Sequence, residues 1–307
     1  STASSIMEKS QEIFSESSTT NSTVTSVAKL KVWLETTNSD SFDADEFKNG
    51  SQVNNWYDKT PSAIKINAIS TDGGLGTKPK ISTTRDKKKI LDFARKGYFL
   101  IDGDFFNSSN YSVFVVAATR GNDDCDPSVS STSYCLDNFF IGEDNTSSNN
   151  NNKKLALGHK YDGSIIYSRG GDKRNSSSKI SYYNANSLKN DYYKSSLSKL
   201  KIYSFTHSQH FGNRTYENGS LLSQDSYTEH LSSIDEIAIG KNFDGRIGEL
   251  IIYATNLSER ERYKIEDYLG NKWGIKVSHN ECENGVIING SCVEGCTTTH
   301  ITGIYES

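Results

Sequence analysis

Long apolar runs, proline and charge of one sign are all scarce in this 307-residue chain, and the scarcities narrow what it does. No hydrophobic stretch approaches the ~20 residues that a membrane-spanning helix needs. A net charge of −4, with acidic and basic residues interspersed, argues against nucleic acid as the main partner. Catalytic signatures are missing too. There is no Gly-x-Ser-x-Gly elbow and no Gly-Lys-Ser/Thr phosphate loop, and the Gly-Gly-Leu-Gly at residues 73–76 lacks the strand-to-helix setting of a nucleotide site. No Glu-x-Asp-x-x-Glu pattern supplies the two carboxylates, ~5–10 Å apart, of a glycoside hydrolase built on strands. An enzyme is therefore not expected. The three prolines stand among abundant Asn, Ser, Thr and Lys, a bias that suits an AT-rich coding sequence and carries little functional weight. No signal peptide is legible at the start, which suits a mature or trimmed form.

Cysteine is the scarce residue that says most, with five in the chain. Cys125 and Cys135 flank the loop-like CDPSVSSTSYC, which can close as a small disulfide loop. Cys282, Cys292 and Cys296 crowd the segment CENGVIINGSCVEGC. Short spacing, Gly and Asn turns and the lack of Cys-x-x-Cys partners favour disulfides over zinc. Cys125, Cys135, Cys282 and Cys292 are the expected disulfide cysteines, and the partner of Cys296 is left open. An oxidising compartment, extracellular or at the cell surface, follows.

What is present in quantity is aromatic. Seventeen Tyr and thirteen Phe furnish a core of the kind antiparallel sheets use. Strand patterns begin with LKVWLE at residues 30–35 and VNNWYDKTP at 53–61, then recur as KILDFA, GYFLI, YSVFVVAA, NFFIG, KLALGH and SIIYS. KIYSFTH, IDEIAIG and GRIGELIIY complete the set. Asp162-Gly163 and Asn218-Gly219 are two-residue hairpin signals. The closing block at residues 247–275, IGELIIYATNLSERERYKIEDYLGNKWGI, reads as a buried strand and a capped helix. Ser258 is the N-cap, Glu261 completes a capping box, and Gly274 ends the helix. Ile265, Tyr268, Leu269 and Trp273 share one helical face. Trp33, Trp56 and Trp273 are expected in the core. Many short strands with a helix at each end imply an all-β antiparallel sandwich. The expected organisation is a polar helix and Ser/Thr-rich linker over 1–26, a sandwich over 27–278, and a small disulfide-stapled tail over 279–307.

These blocks, in this order, resemble the laminin-G-like, concanavalin A-like jelly-roll domains of bacterial surface proteins. The likeness covers roughly residues 27–277, and the closing strand and helix carry most of it. It implies two antiparallel sheets outside the cell and carbohydrate or protein ligands in adhesion, without catalysis. STASSIMEKSQEIF at the start resembles the polar half of a type IV pilin's first helix. That likeness implies the alternative of a structural subunit, packed against copies of itself in a filament, with an apolar anchor preceding Ser1.

Four tyrosines in SYYNANSLKNDYY are the candidate ligand-binding residues: Tyr182, Tyr183, Tyr192 and Tyr193. Sugar rings present apolar C–H faces that stack on such rings, although outward tyrosines also simply cover sheet edges. Asp123, Asp124 and Asp126 beside Cys125 form the loop best suited to calcium, the one cofactor considered. Asp40, Asp43, Asp45 and Glu46 form a second acidic loop, and for both loops solvated charge is the preferred reading. His207 and His210 are expected as surface histidines near a strand end, because i and i+3 point to opposite faces of a strand. Glu249, a lone acid in an apolar strand, is expected to face solvent at a sheet edge.

Overall fold

A computed structural model describes residues 23–70, 77–94, 97–107, 110–119, 138–144, 155–159, 166–169, 181–183, 199–224, 228, 234–241, 243–279, 285–288 and 291–294. Two eight-stranded sheets dominate the described residues, and the strand pairings are antiparallel. The first sheet runs β14 (Ser220–Gln224), β13 (Gly212–Glu217), β12 (Lys201–Ser208), β7 (Tyr111–Thr119), β16 (Asp244–Tyr253), β5 (Lys89–Ala94) and β4 (Lys80–Thr83). β1 (Leu30–Glu35) pairs with β16 beyond the stretch that β5 occupies. The second sheet runs β11 (Ser181–Tyr183), β10 (Ile166–Arg169), β9 (Ala156–His159) and β8 (Asn138–Glu143). It continues through β15 (Glu236–Ile239), β6 (Gly97–Asp102), β3 (Lys65–Ser70) and β2 (Asn55–Tyr57).

The unbroken apolar runs have a simple cause: their strands are covered on both faces. Val113, Val115 and Ala117 of β7 and Leu250 and Ile252 of β16 point between the sheets, where they meet Phe99, Phe140 and Ile237. Phe114, Val116, Ile251 and Tyr253 point the other way, onto helix α1 (Glu259–Trp273). The helix buries Ile265, Tyr268, Leu269 and Trp273 against that outer face. Its cap is as the sequence predicts. Glu261 N–H donates to the Ser258 side chain, and the Glu261 carboxylate accepts from Ser258 N–H. Gly274 closes the helix at φ 66° and donates to Gly270 O. Packing of the sandwich reaches back to Val24, whose carbonyl accepts from Tyr253 Oη at 2.7 Å.

Trp33, Trp56 and Trp273 are buried, as expected. Asn218 (φ 49°) and Gly219 (φ 89°) form the expected two-residue turn between β13 and β14, with Glu217 paired to Ser220. Asp162 and Gly163 lie outside the described residues, while the strands on either side of them, β9 and β10, do pair. β3 and β4 have no counterpart in the sequence reading. In the tail, β17 (Gly285–Ile288) and β18 (Ser291–Glu294) form a separate two-stranded sheet, with Cys292 paired opposite Ile287. Cys125, Cys135, Cys282 and Cys296 lie outside the described residues, as do the polar helix at the start and residues 73–76.

Candidate functional site

A groove of about 620 Å³ lies on the outer face of the first sheet, between strands β12–β14 and the start of α1. Strand register builds one wall. Thr206, Arg214 and Gln224 are successive cross-strand partners, so a hydroxyl, a guanidinium and an amide stand side by side. Tyr216 is next along β13 on the same face, beside Leu221 of β14. At the turn between β12 and β13, Phe211 is 56 % exposed, and the Arg214 guanidinium carbon lies 4.7 Å from its ring centroid. Ile64 is the other exposed large apolar side chain among the described residues; single ones are common, and Phe211 differs in standing over a groove.

The helix and the segment after it make the other wall. The Arg262 guanidinium lies 3.6 Å from the Tyr216 ring centroid and pairs with Glu266 at 2.5 Å. Glu266 is buried and accepts from Ser204 Oγ at 3.0 Å. Burial raises the Glu266 carboxyl above its ordinary value, and Arg262 and Ser204 only partly offset it. Residues 275–279 strap the helix to the β13–β14 turn: Ser278 N–H donates to Asn218 O, and Ser220 Oγ donates to Ser278 O. Gly219 is required here, because a Cβ would lie 2.8 Å from Val277. His279 then stacks on Tyr263 at 3.8 Å and bonds Asp267 at 2.7 Å. Tyr263 Oη donates to Glu259. The groove thus offers an exposed ring, a row of polar groups and fixed walls, which is the equipment for holding a polar ring-shaped ligand.

Behind the other end of the helix lies an ionic cluster that the sequence reading placed wrongly. Glu249 is not solvent-facing; it is 0 % exposed. β16 carries it to the helix-covered face, where Trp33 Nε1 and Tyr268 Oη donate to its Oε1 at 2.9 Å and Trp273 Nε1 donates to Oε2 at 2.8 Å. Glu35, its cross-strand partner, is 1 % exposed. Lys272 Nζ sits between them, 2.9 Å from Glu249 and 3.4 Å from Glu35, and Lys59 reaches Glu35 at 3.3 Å. Burial alone would raise the Glu35 carboxyl, but Lys272, Thr37, Lys59 and Ser41 together hold it down to about 2. Burial would lower Lys272, and Glu249 and Glu35 outweigh it, so the ammonium titrates higher than usual. Two carboxylates do face each other, yet neither can meet a sugar. This cluster holds the helix to the sheet.

His207 is likewise buried rather than at the surface. It stacks on Tyr111 between the sheets at 5.5 Å and bonds Asn213 at 2.8 Å, whereas His210 lies in the turn beyond β12. In the acidic loop, Asp43 accepts from Tyr57 Oη at 2.5 Å and Asn55 at 2.6 Å, and these bonds lower its carboxyl. Asp40 pairs with Lys59, and Glu46, which is buried, accepts from Asn54. Asp45 and Asp40 remain largely in water, each beside a lysine, Lys48 and Lys59 respectively. No His, Cys, Asp or Glu cluster fit to hold a metal occurs among the described residues. Asp123, Asp124, Asp126, Tyr192 and Tyr193 lie outside those residues. Tyr182 and Tyr183 belong to β11, whose backbone approaches β13 and β14. The residues that line the groove, Phe211 and Arg214 above all, were not singled out from sequence.

No family model matches the chain, and no curated protein matches it. Among solved structures, the binding domain of Paraclostridial Mosquitocidal Protein 1 superposes with a TM-score of 0.53 at 16 % identity, over 79 % of this chain and 53 % of that one. Domain 4 of AbnA, a GH43 extracellular arabinanase from Geobacillus stearothermophilus solved with arabinotriose, gives 0.49 at 15 % identity over 78 % and 98 %. A Trypanosoma rangeli sialidase gives 0.49 at 11 % over 80 % and 33 %. The chain thus spans about half of the mosquitocidal domain and a third of the sialidase. The first of these likenesses establishes a shared β-sandwich fold.

Proposed function

We propose that this chain is a non-catalytic, extracellular or surface-displayed binding domain that recognises carbohydrate in adhesion. The observation that carries the reading is the exposed Phe211 ring beside the in-register row Thr206, Arg214 and Gln224, in a groove of about 620 Å³. A pyranose buries its C–H face on an aromatic ring while its hydroxyls take hydrogen bonds from polar side chains at the rim. The laminin-G-like, jelly-roll resemblance of the strand order and closing helix supports the same class of function. Glu35 and Glu249, the carboxylates that face each other across β1 and β16, are buried in the ionic cluster and do not reach the groove.

Affinity electrophoresis across a panel of soluble polysaccharides tests this, with reducing ends assayed in the same mixtures. Retarded migration is expected for a subset of the panel, with no release of reducing ends. The F211A variant should lose about tenfold in affinity, equivalent to ~1.4 kcal/mol. Unretarded migration throughout the panel would overturn the reading in favour of a structural subunit of a pilus-like filament. Release of reducing ends would replace it with a glycan-degrading enzyme.

A further inference from the structure

The charges around the groove are satisfied on one wall and not on the other. On the helix wall, Glu261 is engaged in the capping box, Glu259 accepts from Tyr263 Oη, Arg262 is matched by Glu266, and His279 by Asp267. On the strand wall Arg214 has no carboxylate within ion-pair distance among the described residues. Its Nε is buried without an acceptor, and the guanidinium rests on the exposed ring of Phe211. A guanidinium is charged at every ordinary pH and presents a planar fork that matches the two oxygens of a carboxylate or sulfate. A buried donor lacking an acceptor is an unfavourable arrangement that a ligand anion relieves.

We infer that the groove selects acidic saccharides, those bearing a carboxylate or sulfate, with Arg214 holding the anion. The inference rests on the carbohydrate reading above and names the ligand class of the same site. Phe211 carries the apolar face of the sugar ring, and Thr206 and Gln224, on either side of Arg214, meet neighbouring hydroxyls. The acidic residues of the helix wall give the groove a direction. They repel an anion from Glu259 and Glu261 and leave Arg214 as its place. The chain's net charge of −4 works against non-specific attraction of anions, so a preference for them must come from a local arrangement.

Calorimetric titration of the whole chain tests this with three hexasaccharides: an unsulfated one with alternating glucuronic acid, a sulfated counterpart, and neutral chitohexaose. The acidic ligands are expected to bind at least tenfold more tightly than the neutral one. R214Q should abolish that margin, costing the two acidic ligands at least tenfold more affinity than it costs chitohexaose. R214K, which keeps the charge and loses the fork, should fall between, and F211A should weaken all three. Circular dichroism of each variant confirms that the sandwich is intact. Comparable affinity for neutral and acidic ligands would overturn the inference and leave carbohydrate recognition standing. An acidic preference that R214Q leaves unchanged would overturn it as well. Failure of all three to bind overturns the inference, and polysaccharide electrophoresis then decides the wider reading separately.

Discussion

Glu249 shows how far a single residue's role depends on partners remote in sequence. Within the apolar run of β16 it has the appearance of an edge residue, because its neighbours in the chain are hydrophobic. Its hydrogen-bond donors come from Trp33 at the start of the sandwich and from Tyr268 and Trp273 at the end of the helix. No local pattern announces that convergence, although three large aromatics with polar tips in otherwise apolar patterns do call for buried acceptors. E249L would strand Lys272 against Glu35 alone and remove the acceptor of two indole N–H groups. Urea titration should show unfolding free energy lower by about 3–5 kcal/mol, as for other broken buried pairs. Glu35 adds a dependence on pH. Its folded value of about 2 lies below the ordinary 4.5, so its stabilisation is complete above about 4.5 and is lost as the pH falls towards 2. That difference corresponds to roughly 3 kcal/mol. Glu266 acts with the opposite sign, because its raised carboxyl contributes stability below the ordinary value and loses it as the pH rises through the raised one. Thermal midpoints between pH 6 and pH 2 should therefore fall more steeply for the native chain than for E35Q.

At the scale of elements, what was legible is what is encoded locally. The helix α1 announces itself by its capping box, its apolar stripe and its terminal glycine, and the β13–β14 hairpin by Asn218-Gly219. S258A, which removes the side-chain acceptor of Glu261 N–H, should cost about 1 kcal/mol in chemical denaturation. Strands β3 and β4 escaped notice for a physical reason. KINAIS and KIST each bury only one large apolar side chain, Ile66 and Ile81, and leave the rest partly exposed, with Ser51 O accepting from Ile81 N–H at the edge of β4. His207 was misplaced because strand β12 runs further than its apolar residues suggest, as far as Ser208. Gly248 marks where the register of β16 against β7 shifts, and no reading of sequence gave it a role. A Cβ there would come within 2.5 Å of the Trp273 ring, so G248A should displace the helix end and lower stability by about 1–3 kcal/mol, with an altered near-ultraviolet tryptophan signal.

The molecule as a whole is a sandwich with a helix laid on one outer face, and its two central strands, β7 and β16, serve the core on both sides. That class was readable from the density of short strands and hairpin signals, because both follow from period-two patterning. The groove was not. It is assembled from β12, β13, β14, the helix start and the strap ending at His279, and only cross-strand register puts Thr206, Arg214 and Gln224 in one row. The tyrosines singled out from sequence are rings in a polar stretch, and no local pattern shows the concave frame and fixed polar groups that a site also needs. The most direct test of the account is a glycan array probed in parallel with the native chain and F211A, both shown to be folded. The account predicts a discrete set of hits for the native chain that fade by about tenfold in F211A. Hits of undiminished strength in F211A would place recognition elsewhere on the surface and contradict the assignment of the groove.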